Sequence, residues 1–143
     1  MFKNYQDLCE MERKLKLIES TKAVLDWDQQ CFMPEEASDY RAQQCAYLAG
    51  LHHQESVSSS FSDTLKAAED ECSALPASDR RRAHLRKTRR AFDLRTCVPQ
   101  KLVEELAQAV STGQSIWANA KKTSDFALFA PALQKLVDRK SVV

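Results

Sequence analysis

Three histidines, five cysteines and twenty Asp or Glu side chains are the groups with which this 143-residue chain could hold a metal or break a bond. Their spacing restricts the chemistry. His52 and His53 are adjacent, and neighbouring helix positions point about 100° apart, so the pair does not grip one ion as residues four apart do. It reads as a solvated helix end. No His is followed by Glu in an H-E-x-x-H pattern and no Glu-x-x-His occurs, so neither a zinc-hydrolase motif nor a di-iron bundle is written in the chain. There is no G-x-S-x-G, no glycine-rich phosphate loop, and no C-x-x-C pair among Cys9, Cys31, Cys45, Cys72 and Cys97, which read as reduced thiols. Glu69-Asp70-Glu71 and Glu104-Glu105 are adjacent charges on exposed helix faces. No catalytic and no metal-binding residue is expected.

The elements that would position any such group are helices. Two glycines and four prolines stand against an abundance of strong helix formers, and 143 residues are enough for a single core, so one all-α domain over residues 1–143 is predicted. Its architecture is five to six helices, the long ones antiparallel in a bundle-like array. Leu8, Met11, Leu15, Ile18 and Leu25, widened by Leu17 and Val24, mark a first helix over about residues 3–29. Pro34 and the pair Glu35-Glu36 open a second, reaching about Gln54, with Ala37, Arg41 or Cys45, Leu48 and Leu51 or His52 inward. Ser60 or Ser62 caps a third after the serine-rich "SVSSSFSD", carrying Phe61, Leu65 and Ala68. Ser78 caps a fourth reaching Thr96, with Leu85, Phe92 and Leu94. A fifth over 100–122 carries Leu102, Leu106, Val110, Gly113, Trp117 and Ala120, Gly113 marking a close helix contact. Ser124 or Asp125 starts a turn holding Phe126 and Phe129, and Pro131 opens a last segment that stops uncapped at "DRKSVV", as if cut.

A net charge of +1 points to no particular partner, no apolar run is long enough to cross a bilayer, and the N-terminus is too polar for a signal peptide, so a cytoplasmic protein is expected. Charge is nonetheless uneven. Residues 78–97 hold eight Lys or Arg and two Asp. Clustered cations can bind nucleic acid by counterion release, but no aromatic residues interleave on that face for stacking, and Glu69 to Glu71 are ready partners, so nucleic acid is an unlikely partner.

One stretch departs from ordinary helix chemistry: "LDWDQQCFMPEEA", residues 25–37, where large apolar side chains meet carboxylates at a turn. It is a packed corner or the rim of a groove, built from Trp27, Asp28, Gln29, Met33 and Pro34. The capacity of Trp27, Phe32 and Met33 to bury apolar area favours the corner, with Asp28 and Gln29 satisfying backbone groups freed at the helix ends. "LDWDQQCFMP" resembles the Trp-Asp-Gln…Met-Pro signature of the carboxypeptidase Taq family of metallocarboxypeptidases. The likeness continues through "RAQQCAYLAGLHH" and "FDLRTCVPQKLVEELAQAVSTGQSIWANAKKTSDFALFAPALQKLV".

The resemblance implies an all-helical, cytosolic, generally homodimeric enzyme that removes C-terminal residues from peptides with zinc or cobalt, held by an H-E-x-x-H helix and a later glutamate. That motif is absent here, so the chain resembles only the N-terminal part and receives no catalytic or ligand residue by the likeness. The implied role is architectural: a wall or cover of a substrate groove. Alone the chain is expected to lack peptidase activity and a tight metal site, with peptide substrate met only in the complete enzyme. A face of Phe126, Phe129, Leu133, Leu136 and Val137, with the Leu8 to Leu25 stripe as a further candidate, would promote self-association or a rearranged C-terminal segment. The alternative is a stand-alone helical binding module acting through the basic helix 78–97 or an exposed apolar face.

Overall fold

Capping and apolar spacing divide the described residues into six α-helices: α1 Lys3–Cys31, α2 Ser38–Ser56, α3 Ser59–Glu71, α4 Arg80–Thr96, α5 Gln100–Thr123 and α6 Phe126–Lys140. A single 3-10 turn, Glu35–Ala37, precedes α2, and no strand occurs among the described residues. The computed structural model describes residues 2–140, so the last three residues of "DRKSVV" lie outside it. The predicted caps of α3 and α4 both move. Ser58, extended at ψ 153, accepts from Phe61 N at 3.2 Å and starts α3, which places Ser60 inside the first turn and shrinks the serine-rich linker to a two-residue break. Asp79 replaces Ser78 at the head of α4, where it accepts from the Arg81 backbone at 2.8 Å and from the Arg81 guanidinium at 2.7 and 2.9 Å. Those bonds to Arg81 hold the Asp79 carboxyl down at about 2.

The end of α5 is closed by Ser124 in the left-handed region, φ 56. α6 then begins five residues before Pro131 rather than at it. Asp125 accepts from Ala127 N at 2.9 Å, and this cap lets the helix start early and carry Pro131, which has no i+4 amide to offer the Ala127 carbonyl, one turn in.

The pairs α1–α2, α3–α4, α2–α5 and α5–α6 run antiparallel, whereas α4 lies parallel to α1, with Arg81 at Phe2, His84 at Tyr5 and Thr88 at Glu12. On α1 and α2, Asp28 meets Arg41 while Glu19 meets His52; on α3 and α4, Glu69 meets Arg89 while Phe61 stacks on Phe92. α2 pairs in the same sense with α5, and α5 with α6. The main core lies where the N-terminal half of α1 meets α3 and α4: Leu8, Leu15, Phe61, Leu65, Ala68, Cys72 and Leu85, with Tyr5, Met11 and Phe92 packed at its edge. Of the predicted first stripe, Leu17 and Val24 are exposed instead, because they lie on the side of α1 opposite Leu8 and Leu15, away from α3 and α4. Leu94 is exposed for the same reason on α4. The inward line of α2 is Ala42, Cys45, Gly50, His53 and Ser56: Cys45 is buried as expected, Ala37, Arg41, Leu48, Leu51 and His52 are only half-buried, and His53 is buried rather than solvated.

The two glycines differ. A Cβ on Gly50 would lie 2.8 Å from Cγ of Glu104, so the close approach of α2 to α5 is made there. At Gly113, also buried, a Cβ would meet Leu136 Cδ1 at 3.5 Å, an ordinary contact. Gly113 is therefore not required by space. Gly113→Ala is expected to raise stability by about 0.5–1 kcal/mol through helix propensity and lower unfolded-state entropy. Urea titration of the two proteins measures this, and a loss of stability would mean α6 packs closer than the structure has it.

Candidate functional site

The corner is held by polar bonds and leaves its aromatic rings outside. Leu25, Asp28 and Gln29 share the face of α1 turned to α2 and α5, and Trp27 lies on the opposite side. Trp27 is 58% exposed and Phe32 71%, meeting each other edge to face at 5.3 Å. The expected burial of these two rings is thus corrected, while Met33 is half-buried and Pro34 exposed. What joins the helices is Arg41, which donates to Asp28 at 2.6 Å and to the Leu25 carbonyl at 2.5 Å. Gln29 in turn donates to the Ser111 carbonyl at 2.9 Å and to Ser115 Oγ at 3.3 Å, and accepts from Ser111 Oγ at 2.9 Å. Two of the five predicted corner residues, Asp28 and Gln29, carry the connection. Arg41 was legible only as a helix-face residue.

Beside this clasp a groove of about 620 Å³ opens between α1, α2 and α5. Leu102, Leu106 and Val110 form one wall, Cys45 and Ala49 another, and the Lys22–Asp26 pair at 2.7 Å closes its polar edge. The apolar stripe predicted on α5 is therefore a groove wall along its first half. Farther along, Trp117 is exposed under Lys121, whose Nζ lies 5.0 Å from the ring centre.

A second polar constellation sits between α1 and α4. Tyr5, Cys9 and Glu12 project from one face of α1, and His84 and Thr88 from one face of α4. Tyr5 Oη lies 3.1 Å from His84 Nδ1, His84 Nε2 lies 2.9 Å from Glu12 Oε2, and Thr88 donates to Glu12 Oε1 at 2.7 Å. The Cys9 thiol is pushed up by burial, opposed by its hydrogen bond with Tyr5. Sequence spacing hides this set because its halves lie more than seventy residues apart, although the i, i+4, i+7 recurrence of Tyr5, Cys9 and Glu12 was available. His52 faces Glu19 at 3.3 Å, and burial with the nearby Arg95 charge lowers its pKa.

The basic helix is partly neutralised. Arg89 makes a two-bond fork to Glu69 at 2.7 and 3.0 Å, Arg81 lies over the Phe2 ring and bonds Asp79, and Arg82 donates to the Leu75 carbonyl. Arg80, Arg86, Lys87 and Arg90 remain exposed. On α6, Phe126, Leu133 and Val137 are exposed, Phe129 and Leu136 half-buried, and Phe126 meets Phe129 edge to face at 6.3 Å. No helix among the described residues is long and apolar enough to cross a membrane.

These helices and their sequence define a class. The family described as carboxypeptidase Taq (M32) metallopeptidase matches residues 7–143, and the chain belongs to that family. Thermostable carboxypeptidase 1 of Thermus thermophilus is 30% identical over 132 residues, which are 92% of this chain and 26% of that protein. The solved structure of Trypanosoma cruzi metallocarboxypeptidase 1 superposes with a TM-score of 0.66 at 27% identity, covering 97% of this chain and 27% of the other. The chain thus spans about a quarter of the length of these relatives.

The metal centre that the family implies does not fit the residues present. It needs two histidines one helical turn apart with a glutamate between them. Here His52 and His53 are adjacent, about 100° apart round α2, with His53 buried, and His84 stands on another helix against Tyr5 and Glu12.

Proposed function

We propose that this chain supplies the N-terminal helical wall of a metal-dependent carboxypeptidase that releases C-terminal residues from peptides, the zinc or cobalt being held by other parts of the whole enzyme. The carrying observation is the family match across residues 7–143, in a chain without an H-E-x-x-H motif. The α1–α2–α5 groove is the surface this reading assigns to the substrate side, and Trp27 and Phe32, exposed on the other side of α1, lie outside it. The chain alone is then expected to show no chelator-sensitive hydrolysis of N-acylated dipeptides with zinc or cobalt. Replacing the matched quarter of the Thermus thermophilus relative with residues 7–143 tests the positive side. A folded chimera that releases C-terminal residues, sensitive to chelator, supports the reading, and a folded but inactive one overturns it.

Self-association through α6 is favoured by its exposed Phe126 and Leu133. The Leu8 to Leu25 stripe no longer belongs to that face, since Leu8 and Leu15 are core. Light scattering across a hundredfold concentration range is expected to show a dimer that Phe126→Glu with Leu133→Glu disperses; a monomer throughout refutes it.

A further inference from the structure

We propose that Cys9, Glu12 and His84 form a divalent-cation site for zinc between α1 and α4, separate from the catalytic metal of the family. The ligand atoms of these three residues, and no other group of three among the described His, Cys, Asp and Glu side chains, lie within 4.8 Å of one another. Tetrahedral zinc holds such atoms at about 2.0–2.3 Å, so they stand roughly 3.3–3.8 Å apart when bound. His84 Nε2 and Glu12 Oε2, at 2.9 Å, must part slightly, and the widest separation must close by roughly 1 Å. Rotation of half-buried side chains on two otherwise fixed helices accomplishes both.

The surroundings already hold these groups as ligands. Metal-bound imidazoles usually donate their other N–H to an oxygen, and Tyr5 Oη stands 3.1 Å from His84 Nδ1 to receive it once the ion takes the place of the proton that Nε2 shares with Glu12. Thr88 Oγ1 donates to the outer oxygen of Glu12 and fixes the carboxylate plane. Binding exchanges the Cys9 thiol proton for the ion and releases one proton to solvent. Thiolate and carboxylate then cancel the two positive charges of zinc, which suits a half-buried position. Three protein ligands leave the fourth position to water.

Cobalt and zinc added singly to the metal-free chain test the site. Cobalt is expected to bind one equivalent, with an absorption band from thiolate-to-metal charge transfer, and zinc to displace it and raise the melting temperature. Cys9→Ser, close in shape to the original, removes the band. Thr88→Val and Tyr5→Phe weaken affinity about 10–100-fold. Cys31→Ser with Cys97→Ser, both exposed cysteines, leaves the band in place. A band that survives Cys9→Ser, one that vanishes with the exposed pair, or no band at all would overturn the proposal.

Discussion

Phe61→Ala is expected to cost about 3–5 kcal/mol, the range for removing a fully buried aromatic ring. Phe61 is 1% exposed, stacks 6.0 Å from Phe92 and belongs to the cluster that joins α1, α3 and α4. Three helices therefore lose a shared partner at once. Domains are commonly stable by only about 5–15 kcal/mol, so this variant should unfold at a much lower urea concentration or fail to accumulate. Leu94→Ala, on the exposed side of α4, provides the comparison and should shift stability by less than about 0.5 kcal/mol. Near-equal midpoints for the two variants would mean that α3 and α4 do not pack on α1 as described.

The second large effect reverses the weight of the corner. Arg41→Ala is expected to cost about 2–3 kcal/mol, because it removes two charge-assisted bonds and leaves Asp28 and the Leu25 carbonyl without them. The Arg41 side chain is 12% exposed, so water replaces it poorly. Trp27→Ala should cost less than about 1 kcal/mol, since most of that ring is already in solvent. Thermal melts of the two variants in one buffer decide the order. If Trp27→Ala is the more damaging, the indole is covered in solution and the corner is an apolar lock after all.

Helix number and type were legible in the sequence because sparse glycine and proline, apolar steps of three and four, and proline at the breaks all act locally. Leu8, Leu15, Phe61, Leu65 and Leu85 were named from that spacing and are buried. Facing was less legible. Leu17, Val24 and Leu94 fit the helical period as well as their buried neighbours do, and only the placement of α3 and α4 over α1 decides which side is covered. Trp27 misled for a related reason: size marks a capacity for burial, and a helix with two polar partners to reach turns that ring away from them. The bonds of Gln29 to Ser111 and Ser115, and of His84 to Tyr5 and Glu12, join positions more than seventy residues apart, a distance at which no local rule operates. The family was legible earlier than either, since its signature is a run of letters rather than an arrangement in space.

An apolar cleft has a standing tendency to shut, because each square ångström of wall that meets its opposite gains about 25 cal/mol. The cleft between α1, α2 and α5 is braced against this by Gln29, whose amide both gives to and takes from α5 at Ser111. Hydrogen bonds have direction and length where apolar contact has neither, so the amide acts as a strut of set span at one end of the opening. Leu102, Leu106 and Val110 line the opening as an apolar wall while Gln29 sets the spacing of α1 and α5 at its end.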